Sequence, residues 1–458
     1  MTKNTLTVKP KAVTRKPMAV TRKNTHLTRL QTKKNASKKI IKFMKNTEEK
    51  RKTNYLNIIC TDSGECLAVG VEIYRIYQFF NRFTNFKYAI TTRSMGTPSA
   101  NGFIKEIEYS RNGYNSYAIL KSSQKPDSDN LMYEYEVGKY FINKQNISFS
   151  CFLETYGLFI YDNLDAWKSF KDTDVVDKKL LHSLLIIPAD YKLGCKKSQY
   201  LAILIQHINK TTSFAKFINN AMAEKKIYAM NFDVFYILYQ IYFVLDVLKN
   251  EFTHYDLHTE NVLLYEPAKN GYITYHYHLN SGKIVEFHSK YIAKIIDYGR
   301  SYYHADDETN SKNTYARICA IPECDPECGK DSGFGILAPE EFPGSFYYIS
   351  SQVRNKSHDL RLAYMIREEI KDIDPSIMMT DNWNILQNIV YATYYGTPEL
   401  ENGVSPAIHN VTDMRMALES FISIGKNKRR NDTYNSALTK IGDMHIYEDR
   451  RPMEYVKL

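Results

Sequence analysis

The pattern of apolar and polar positions divides the chain into three parts. Before Ile40 almost no large apolar residue occurs, so this stretch cannot build a hydrophobic core. From about residue 55, segments rich in β-branched and aromatic residues alternate with Gly, Ser and Asn, which predicts strands joined by turns. After the strand-like run at 200–208 the pattern becomes predominantly helical. Strands first and helices later indicate an α+β protein.

Several elements stand out within this pattern. Helices are predicted over residues 71–83 and 130–144, and the runs KYAITT, GFIKEIEYS and SYAILKSS between them predict a small antiparallel sheet. The strongest helix prediction covers residues 231–250, which are apolar nearly all round and therefore central. A hairpin is predicted at about 271–290, with its turn at Asn280, Ser281 and Gly282.

Composition favours a soluble intracellular protein. The chain has 458 residues, 43% of them hydrophobic, which is enough for a substantial core. Its longest apolar stretch, Val234 to Leu248, is interrupted by Gln240 and Asp246 and is too short and polar to span a bilayer, so we expect no membrane partner. The N-terminus lacks the apolar core of a secretory signal. Seven scattered cysteines also favour a reducing compartment.

The positive charge is concentrated at the N-terminus. Residues 1–55 contain 17 Lys and Arg and only two acids, giving about +15, whereas the whole chain carries +10. The remainder is therefore mildly acidic, at about −5. We predict that residues 1–55 form a disordered basic tail, which either binds nucleic acid or another acidic partner or is simply solvated.

Two short motifs follow buried elements in the second half. Directly after the central helix stands FTHYDLHTENVLLYEP, in which His254 and Asp256 are followed by Asn261. Farther on, the strand-like run YIAKII leads into the tripeptide DYG, which begins at Asp297. Each motif alone is weak, but the pair is specific because of its order and context. The pair resembles the catalytic loop and the metal-binding loop of the protein-kinase superfamily.

This resemblance, which covers about residues 90 to 365, implies a bilobal fold. It implies a small β-rich N-lobe over residues 56–205, with its preceding helix, and a large helical C-lobe over 206–458 that contains the inserted hairpin. The implied activity is ATP- and Mg²⁺-dependent transfer of the γ-phosphate to a Ser or Thr hydroxyl of a protein. In its tyrosine-, lysine- and asparagine-rich composition the chain resembles the kinase-like proteins of giant DNA viruses. This resemblance would locate the protein in the host cytoplasm or the virion.

The residue types in the two motifs suit phosphoryl transfer. Catalysis of this reaction is mostly positioning and charge neutralisation. Asp297 and Asn261 supply the hard oxygen ligands that Mg²⁺ prefers. Asp256 would orient the acceptor hydroxyl and receive its proton. By resemblance, His254 braces the loop, and His258 stands where the family has a lysine near the γ-phosphate.

Upstream residues complete the expected nucleotide site. SYAILKSS resembles the strand that carries the phosphate-binding lysine, which makes Lys121 the candidate. Its expected partner is Glu134 on the next helix, with Glu136 as the alternative. The phosphate loop is expected between Gly96 and Gly102, although this segment lacks the central glycine of the family pattern. The remaining predicted nucleotide contacts are Gln206 and Ile208, near the adenine hinge, and Leu263, after the catalytic loop.

Two more segments match the family. Residues 338–340, with the sequence APE, resemble the end of an activation segment, and Asp359 stands in the place of the aspartate that braces the catalytic loop. The arginine usual after His254 is Tyr255 here, so control by a phosphorylated activation loop is doubtful.

The departures keep three other functions open. The DLHxxN string around His258 also looks like small-molecule kinases of the aminoglycoside and choline type. The incomplete glycine loop favours a pseudokinase that binds nucleotide without turnover. The basic tail leaves open a nucleic-acid-binding protein. Two possible metal clusters are better explained as ordinary structure, namely Cys319, Cys324 and Cys328 in a loop and the histidines 276, 278 and 288 in the hairpin.

Overall fold

A computed structural model of the chain divides it into two units, Met1–Leu56 and Asn57–Leu458. In the first unit the structure describes only residue 35 and residues 37–39, which are helical and exposed, so the predicted disorder of the tail lies outside the described residues. In the second unit it describes residues 58–60, 66–96, 102–123, 130–191, 193, 200–320, 351–391 and 399–458.

The largest sheet of the second unit has six strands in the order β3-β4-β5-β8-β6-β7, and every neighbouring pair is antiparallel. β4 and β5 form a hairpin whose turn residues, Asn112 and Gly113, both have positive φ. This is the backbone conformation that an Asn-Gly hairpin turn requires. The strands are β3 (Ala89–Met95), β4 (Gly102–Arg111), β5 (Tyr114–Ser123), β6 (Thr155–Ile160), β7 (Leu185–Ile187) and β8 (Leu201–His207).

Along the sequence, helices lie before and between the strands of this sheet. The helix predicted at 71–83 is α1 (Glu72–Phe79) followed by a short 3-10 turn, Asn81–Phe83. α2 (Asn130–Glu136) follows β5, continues through a wider π-helical turn at Val137–Ile142 and ends at Gln145. The segment between β6 and β8 holds α3 (Leu164–Asp172) and α4 (Lys178–Ser183), each capped at its N-terminus by an Asn or Asp side chain.

The rest of the unit is built around one buried helix. After β9 (Thr212–Ser213) and α5 (Phe214–Ala223), a π-helical turn at Ala229–Asp233 leads into α6 (Val234–Val247). Every residue of α6 from Val234 to Asp246 is buried, because apolar side chains cover all its faces. The helical stretch Ala229–Val247 is long and apolar enough to cross a membrane, but 94% of it is buried in the structure. It therefore behaves as a core helix.

A second sheet packs on α6. Its order is β13-β12-β16-β17, and it consists of β12 (Gly271–His278), β13 (Ile284–Ser289), β16 (Thr439–Tyr447) and β17 (Glu454–Lys457). β12 and β13 form a hairpin in the predicted segment, and Gly282 in its turn has a φ of +82°. The C-terminal strand β16 pairs with β12 in parallel. Aromatic rings join this sheet to the helix, with Phe243 and Tyr277 at a centroid distance of 4.6 Å.

The unit also contains smaller groups of paired strands. β11 (Val262–Tyr265) pairs with both β14 (Ile292–Ile295) and β9, and β10 (Phe252–Thr253) pairs with β15 (Tyr302–Tyr303). A minor two-stranded ladder joins β1 (Ile58–Cys60) to β2 (Cys66–Ala68). The other helices are α7 (Ser311–Cys319), α8 (Arg361–Ile373), α9 (Thr380–Gln387), α10 (Val411–Ser423) and α11 (Gly425–Asn435).

The α+β class predicted from the sequence is confirmed. The expectation of a predominantly helical second half is only partly correct, since strands β9 to β17 lie after residue 208. β12 and β13 form the hairpin that the sequence predicts. The other strands are short, or in the case of β16 pair with a strand far along the chain, so their local sequence signal is weak.

The π-helical turn after α2 generates a stability prediction. A Cβ added at Gly138 would overlap the Thr155 side chain and lie 2.8 Å from its Cβ. We expect Gly138→Ala to lower the free energy of unfolding by about 1–3 kcal/mol, because an overpacked contact must shift. Urea unfolding measures this. Gly425→Ala is the matched control, since its nearest neighbour is Arg429 Nη1 at 3.8 Å. Equal stability of the two variants would contradict the packing.

Candidate active site

The antiparallel register of β11 and β14 brings the two predicted metal ligands together. Val262 pairs with Ile295, so Asn261, just before β11, lies beside the chain that leads to Asp297. The Ile296 backbone N–H donates to the Asn261 carbonyl oxygen at 3.0 Å. Asp297 has a φ of +67°, a left-handed conformation that is uncommon outside glycine and turns the chain sharply after β14. The pairing of β11 with β14 therefore brings Asn261 and Asp297 near each other.

The loop that carries Asp256 is held from two sides. The Asp359 carboxylate accepts hydrogen bonds from the backbone N–H groups of His254 and Tyr255, at 2.8 and 3.1 Å. The Asn261 side-chain amide donates to the Asp256 carbonyl oxygen at 2.8 Å. These contacts give Asp359 the bracing position expected from the sequence, and they orient the loop independently of any ligand.

His254 is fully buried, and its ring braces the Asp256 loop through hydrogen bonds. Its Nδ1 accepts a hydrogen bond from the Asp256 backbone N–H at 3.2 Å, so the other ring nitrogen carries the proton and donates to the Ile296 carbonyl at 2.9 Å. Burial lowers the pKa of His254 to about 4, which keeps the ring neutral at pH 7. A neutral ring with both nitrogens engaged fits a bracing role and not proton transfer.

Lys121 joins the large sheet to the predicted metal ligand Asp297. It lies on β5, and its Nζ donates to Glu134 Oε2 at 2.7 Å and to Asp297 Oδ1 at 2.9 Å. Of the two glutamates left open by the sequence, the structure therefore pairs Glu134 with the lysine. Glu136 is equally buried, and the groups that act on its carboxyl are Tyr191 and Arg317.

The protonation states of Lys121 and Asp297 depend on the charges within the cluster of Lys121, Glu134 and Asp297. Burial disfavours the Lys121 ammonium, but the Asp297 and Glu134 carboxylates outweigh burial and raise its pKa. The same ammonium lowers the pKa of Asp297, against the effect of burial. Lys121 is thus a stable cation and Asp297 a stable carboxylate at neutral pH. The Asp297 side chain is 44% exposed, so solutes can reach it.

Asp256 lies beside two arginines that the sequence analysis did not single out. Arg361 Nη1 lies 2.8 Å from its Oδ1, and Arg300 Nη1 lies 3.3 Å from its Oδ2. His258 Nε2 is farther away, 3.8 Å from Oδ1. The positions of the two arginines, directly after Gly299 and two residues after Asp359, were the only available signal.

His258 does not reproduce a lysine. Its Nδ1 accepts the Glu260 backbone N–H at 3.3 Å and so caps the short 3-10 turn Thr259–Asn261. Burial lowers its pKa, even though the Asp256 carboxylate opposes the shift. The ring is therefore mainly neutral at pH 7, and the permanent positive charges beside Asp256 come from the arginines.

The expected adenine contacts lie at the end of β8, which pairs with β5, the strand that carries Lys121. Gln206 pairs with Ala118 on β5, whereas Lys121 pairs with Ile203, so the Gln206 side chain is on the opposite face of the sheet from Lys121. It accepts a hydrogen bond from the Glu154 backbone N–H at 3.2 Å. The structure thus does not bring the Gln206 side chain to the lysine, and only its backbone remains a candidate contact.

The other predicted nucleotide contacts are partly described. Ile208 is buried just beyond β8, and Leu263 is half-buried on β11, where it pairs with Ser213 of β9. Gly96 has a φ of +65°, and a Cβ at Gly102 would overlap the Ser122 carbonyl oxygen, so both positions suit glycine. Residues 97–101, between these glycines, lie outside the described residues.

Some sequence predictions fall on other undescribed residues. Residues 338–340, Cys324 and Cys328 lie outside the described part of the chain, and the Cys319 side chain is not described. In the hairpin, His276 Nε2 lies 2.9 Å from Asp443 and its Nδ1 lies 3.3 Å from Glu286. Among the described residues, no group of three His, Cys, Asp or Glu side chains is arranged to hold a metal ion.

Comparison with known proteins adds no assignment. No protein-family model matches the chain, and no curated protein matches it. The functional argument therefore depends on the residues themselves.

The buried His254 generates a pH prediction. In the unfolded chain a histidine binds a proton near pH 6.5, whereas the folded His254 does so only near pH 4. Its contribution to stability is therefore complete above pH 6.5 and is lost as pH falls towards 4. We expect this to remove about 3 kcal/mol of the free energy of unfolding.

Urea titrations at several pH values measure this loss, and His254→Asn serves as the comparison because it lacks the titrating group. The wild-type protein should lose more stability between pH 7 and pH 4 than the variant does. Parallel pH profiles for the two proteins would show that His254 is not buried and neutral.

Proposed function

We propose that this chain has a bilobal protein-kinase-like fold and transfers the γ-phosphate of ATP to a Ser or Thr hydroxyl of a protein, with Mg²⁺ as cofactor. The proposed small lobe covers residues 56–205 and the large lobe residues 206–458. An antiparallel sheet followed by α2 in the first part, and α6 followed by the Asp256 loop in the second, support this arrangement.

The observation that carries the proposal is the position of the Lys121 ammonium. It contacts carboxylates from two other elements, Glu134 on α2 and Asp297 after β14. Asp297 in turn lies next to Asn261, which is hydrogen-bonded to the backbone of Asp256. Residues from four separate stretches of sequence thus converge, each with the side-chain type that phosphoryl transfer needs.

The residues present fit the proposed cofactor. The Asp297 carboxylate and the Asn261 amide oxygen are hard ligands of the kind Mg²⁺ prefers. The Asn261 amide nitrogen is already engaged by the Asp256 carbonyl, which leaves its oxygen as the metal-facing atom. Bound there, Mg²⁺ would neutralise charge on the phosphate oxygens. Lys121 would hold the α- and β-phosphates.

The remaining chemistry belongs to Asp256. In the proposed reaction the acceptor oxygen forms a bond to the γ-phosphorus, and the bond from that phosphorus to the β,γ-bridging oxygen breaks, which releases ADP. The Asp256 carboxylate orients the acceptor hydroxyl and receives its proton. Because His254 and Asp359 hold the loop without a ligand, this carboxylate is pre-positioned.

The first test is Mg²⁺-dependent transfer of label from γ-labelled ATP to generic protein substrates, to small hydroxyl metabolites and to the chain itself. We expect Asp297→Asn and Asp256→Asn to reduce the rate by about 10²–10⁴-fold, because each removes a group that acts on the reacting atoms. Asp306→Asn, in an exposed turn, is the control and should keep full activity.

The outcomes separate the alternatives. If wild type labels only small hydroxyl metabolites, the activity belongs to a small-molecule kinase. If it binds Mg²⁺–ATP and labels nothing, the chain is a pseudokinase. Equal activity of wild type and both Asp variants would refute the site.

The two glutamates of α2 provide a sharper test of the lysine. Glu134→Gln removes the charge that holds Lys121, so we expect the kcat of transfer to fall on the order of 10- to 100-fold through misplacement of the ammonium. Glu136→Gln makes the same chemical change at an equally buried position of the same helix and should leave kcat within about threefold. Steady-state kinetics with purified variants compares them. A larger loss in Glu136→Gln would contradict the assigned ion pair.

A further inference from the structure

Three carboxylates of the proposed site lie on separate segments of the backbone. Glu134 belongs to α2, Asp297 follows β14, and Asp256 lies in the loop after β10. The two ion pairs of Lys121 form together only when α2 and the segment around Asp297 are both in place. A contact that ties these segments to one another would therefore decide whether the site is complete.

The Tyr133 hydroxyl makes such a contact. Tyr133 comes directly before Glu134 on α2 and is fully buried. Its Oη lies 2.7 Å from the Ser301 carbonyl oxygen and 2.8 Å from Ser311 Oγ. Ser301 stands four residues after Asp297, and Ser311 begins α7. One side chain of α2 thus meets the chain that follows Asp297 at two points.

The directions of these hydrogen bonds follow from the donors that are present. The Ser301 carbonyl only accepts, so it takes the single proton of the Tyr133 hydroxyl. The Ser311 hydroxyl then donates to the Tyr133 oxygen, while its own oxygen accepts the Tyr303 backbone N–H at 2.6 Å. Ser351 is a further hydrogen-bond partner of the Tyr133 hydroxyl. Burial raises the pKa of Tyr133, so the hydroxyl keeps its proton and remains a donor.

Ser301 extends the contact to the loop that carries Asp256. Its Oγ donates to the His254 carbonyl oxygen at 3.2 Å. The strand that begins at the next residue, β15, pairs with β10, which leads into the same loop. The backbone at Ser301 is therefore the place where α2, the segment after Asp297 and the Asp256 loop meet.

We propose that Tyr133 is a positioning residue of the phosphoryl-transfer site, and that its hydroxyl holds Glu134 against Lys121 by tying α2 to Ser301 and Ser311. The inference rests on the proposed function, because it concerns the ion pairs of the same site. The hydroxyl is buried among protein groups, so its effect on catalysis is exerted through Glu134.

Packing alone does not call for a hydroxyl at this position. A Phe ring would keep the contact with the Tyr303 ring, whose centroid lies 6.2 Å away. A buried hydroxyl is unfavourable unless it is hydrogen-bonded, whereas hydrogen bonds add a directional restraint that apolar contacts lack. Here the restraint fixes the rotation of α2 about its axis, and this rotation decides whether Glu134 faces Lys121.

Tyr133→Phe tests the proposal, because it removes the hydroxyl and keeps the ring. We expect kcat of transfer to fall about tenfold and KM for the protein substrate to stay within about twofold, since the change displaces Glu134 and not the acceptor. Tyr275→Phe is the matched control. The Tyr275 hydroxyl is equally buried and donates to the Tyr291 carbonyl at 2.9 Å in the second sheet. This variant should keep the wild-type kcat at a similar loss of stability in urea.

A double-mutant cycle shows whether Tyr133 acts through Glu134. We expect Tyr133→Phe to lower kcat about tenfold in the wild-type chain and less than about twofold in Glu134→Gln, where the ion pair is already lost. An equal loss in both backgrounds would show that Tyr133 acts independently of Glu134. An unchanged kcat in Tyr133→Phe would show that the hydroxyl only stabilises the fold. Either result overturns the proposal.

Chemical labelling of Lys121 separates this inference from the proposed function, because it needs no nucleotide. An amine-reactive acylating reagent modifies the neutral amine, and Lys121 is 28% exposed and held protonated by Asp297 and Glu134, which raise its pKa. We expect Tyr133→Phe to speed modification of Lys121 about threefold, the effect of lowering its pKa by about half a unit. Mass spectrometry of the Lys121 peptide measures the rate.

The same labelling in Glu134→Gln completes the comparison. Modification of Lys121 should be faster in this variant than in the wild type, and adding Tyr133→Phe should not speed it further. That outcome supports the positioning role even if no transfer is detected with any acceptor. A labelling rate in Tyr133→Phe equal to that of the wild type and of Tyr275→Phe overturns the role, whatever the transfer assay gives.

Discussion

The rest of the site depends on the contacts that the Lys121 ammonium makes. It joins β5 to α2, 13 residues away, and to the segment after β14, 176 residues away. The Glu134 side chain is only 4% exposed, so loss of Lys121 would leave a buried carboxylate without its compensating charge, whereas the Asp297 contact is partly exposed and contributes less to stability. The left-handed conformation of Asp297 turns the chain after β14 at the residue that contacts Lys121. The ion pairs therefore tie together β5, α2 and the segment after β14.

A second constraint acts on the loop that carries Asp256. His254 and Asp359 contribute buried polar groups that have partners within the chain, and these fix the loop carrying Asp256. Hydrogen bonds to the backbone thus position this loop, while the Asp256 carboxylate itself also contacts Arg361 and Arg300.

Much of this arrangement could be predicted from the sequence, because local patterns specify it. Strands β3 to β5 alternate in a way that indicates a sheet, and the loop residues Asp256, Asn261 and Asp297 occur in a recognisable order after buried elements. The choice between Glu134 and Glu136 needed the structure, since both lie on one short helix and its rotation is not fixed by apolar spacing alone. The contact between Arg361 and Asp256 could not be predicted either, because a lone arginine at the start of a helix is usually a surface charge. The parallel pairing of β12 with β16 joins strands more than 160 residues apart, and no local signal encodes a pairing of that range.

The central claim is that Lys121, Asn261 and Asp297 form a Mg²⁺–nucleotide site, and calorimetric titration with ATP tests it most directly. Titrations with Mg²⁺ present and with Mg²⁺ chelated should show that the metal strengthens ATP binding to the wild-type protein. Asp297→Asn should lose this dependence on Mg²⁺, and Lys121→Met should weaken binding under both conditions. ATP affinity that is the same with and without Mg²⁺, or unaltered in both variants, would contradict the account.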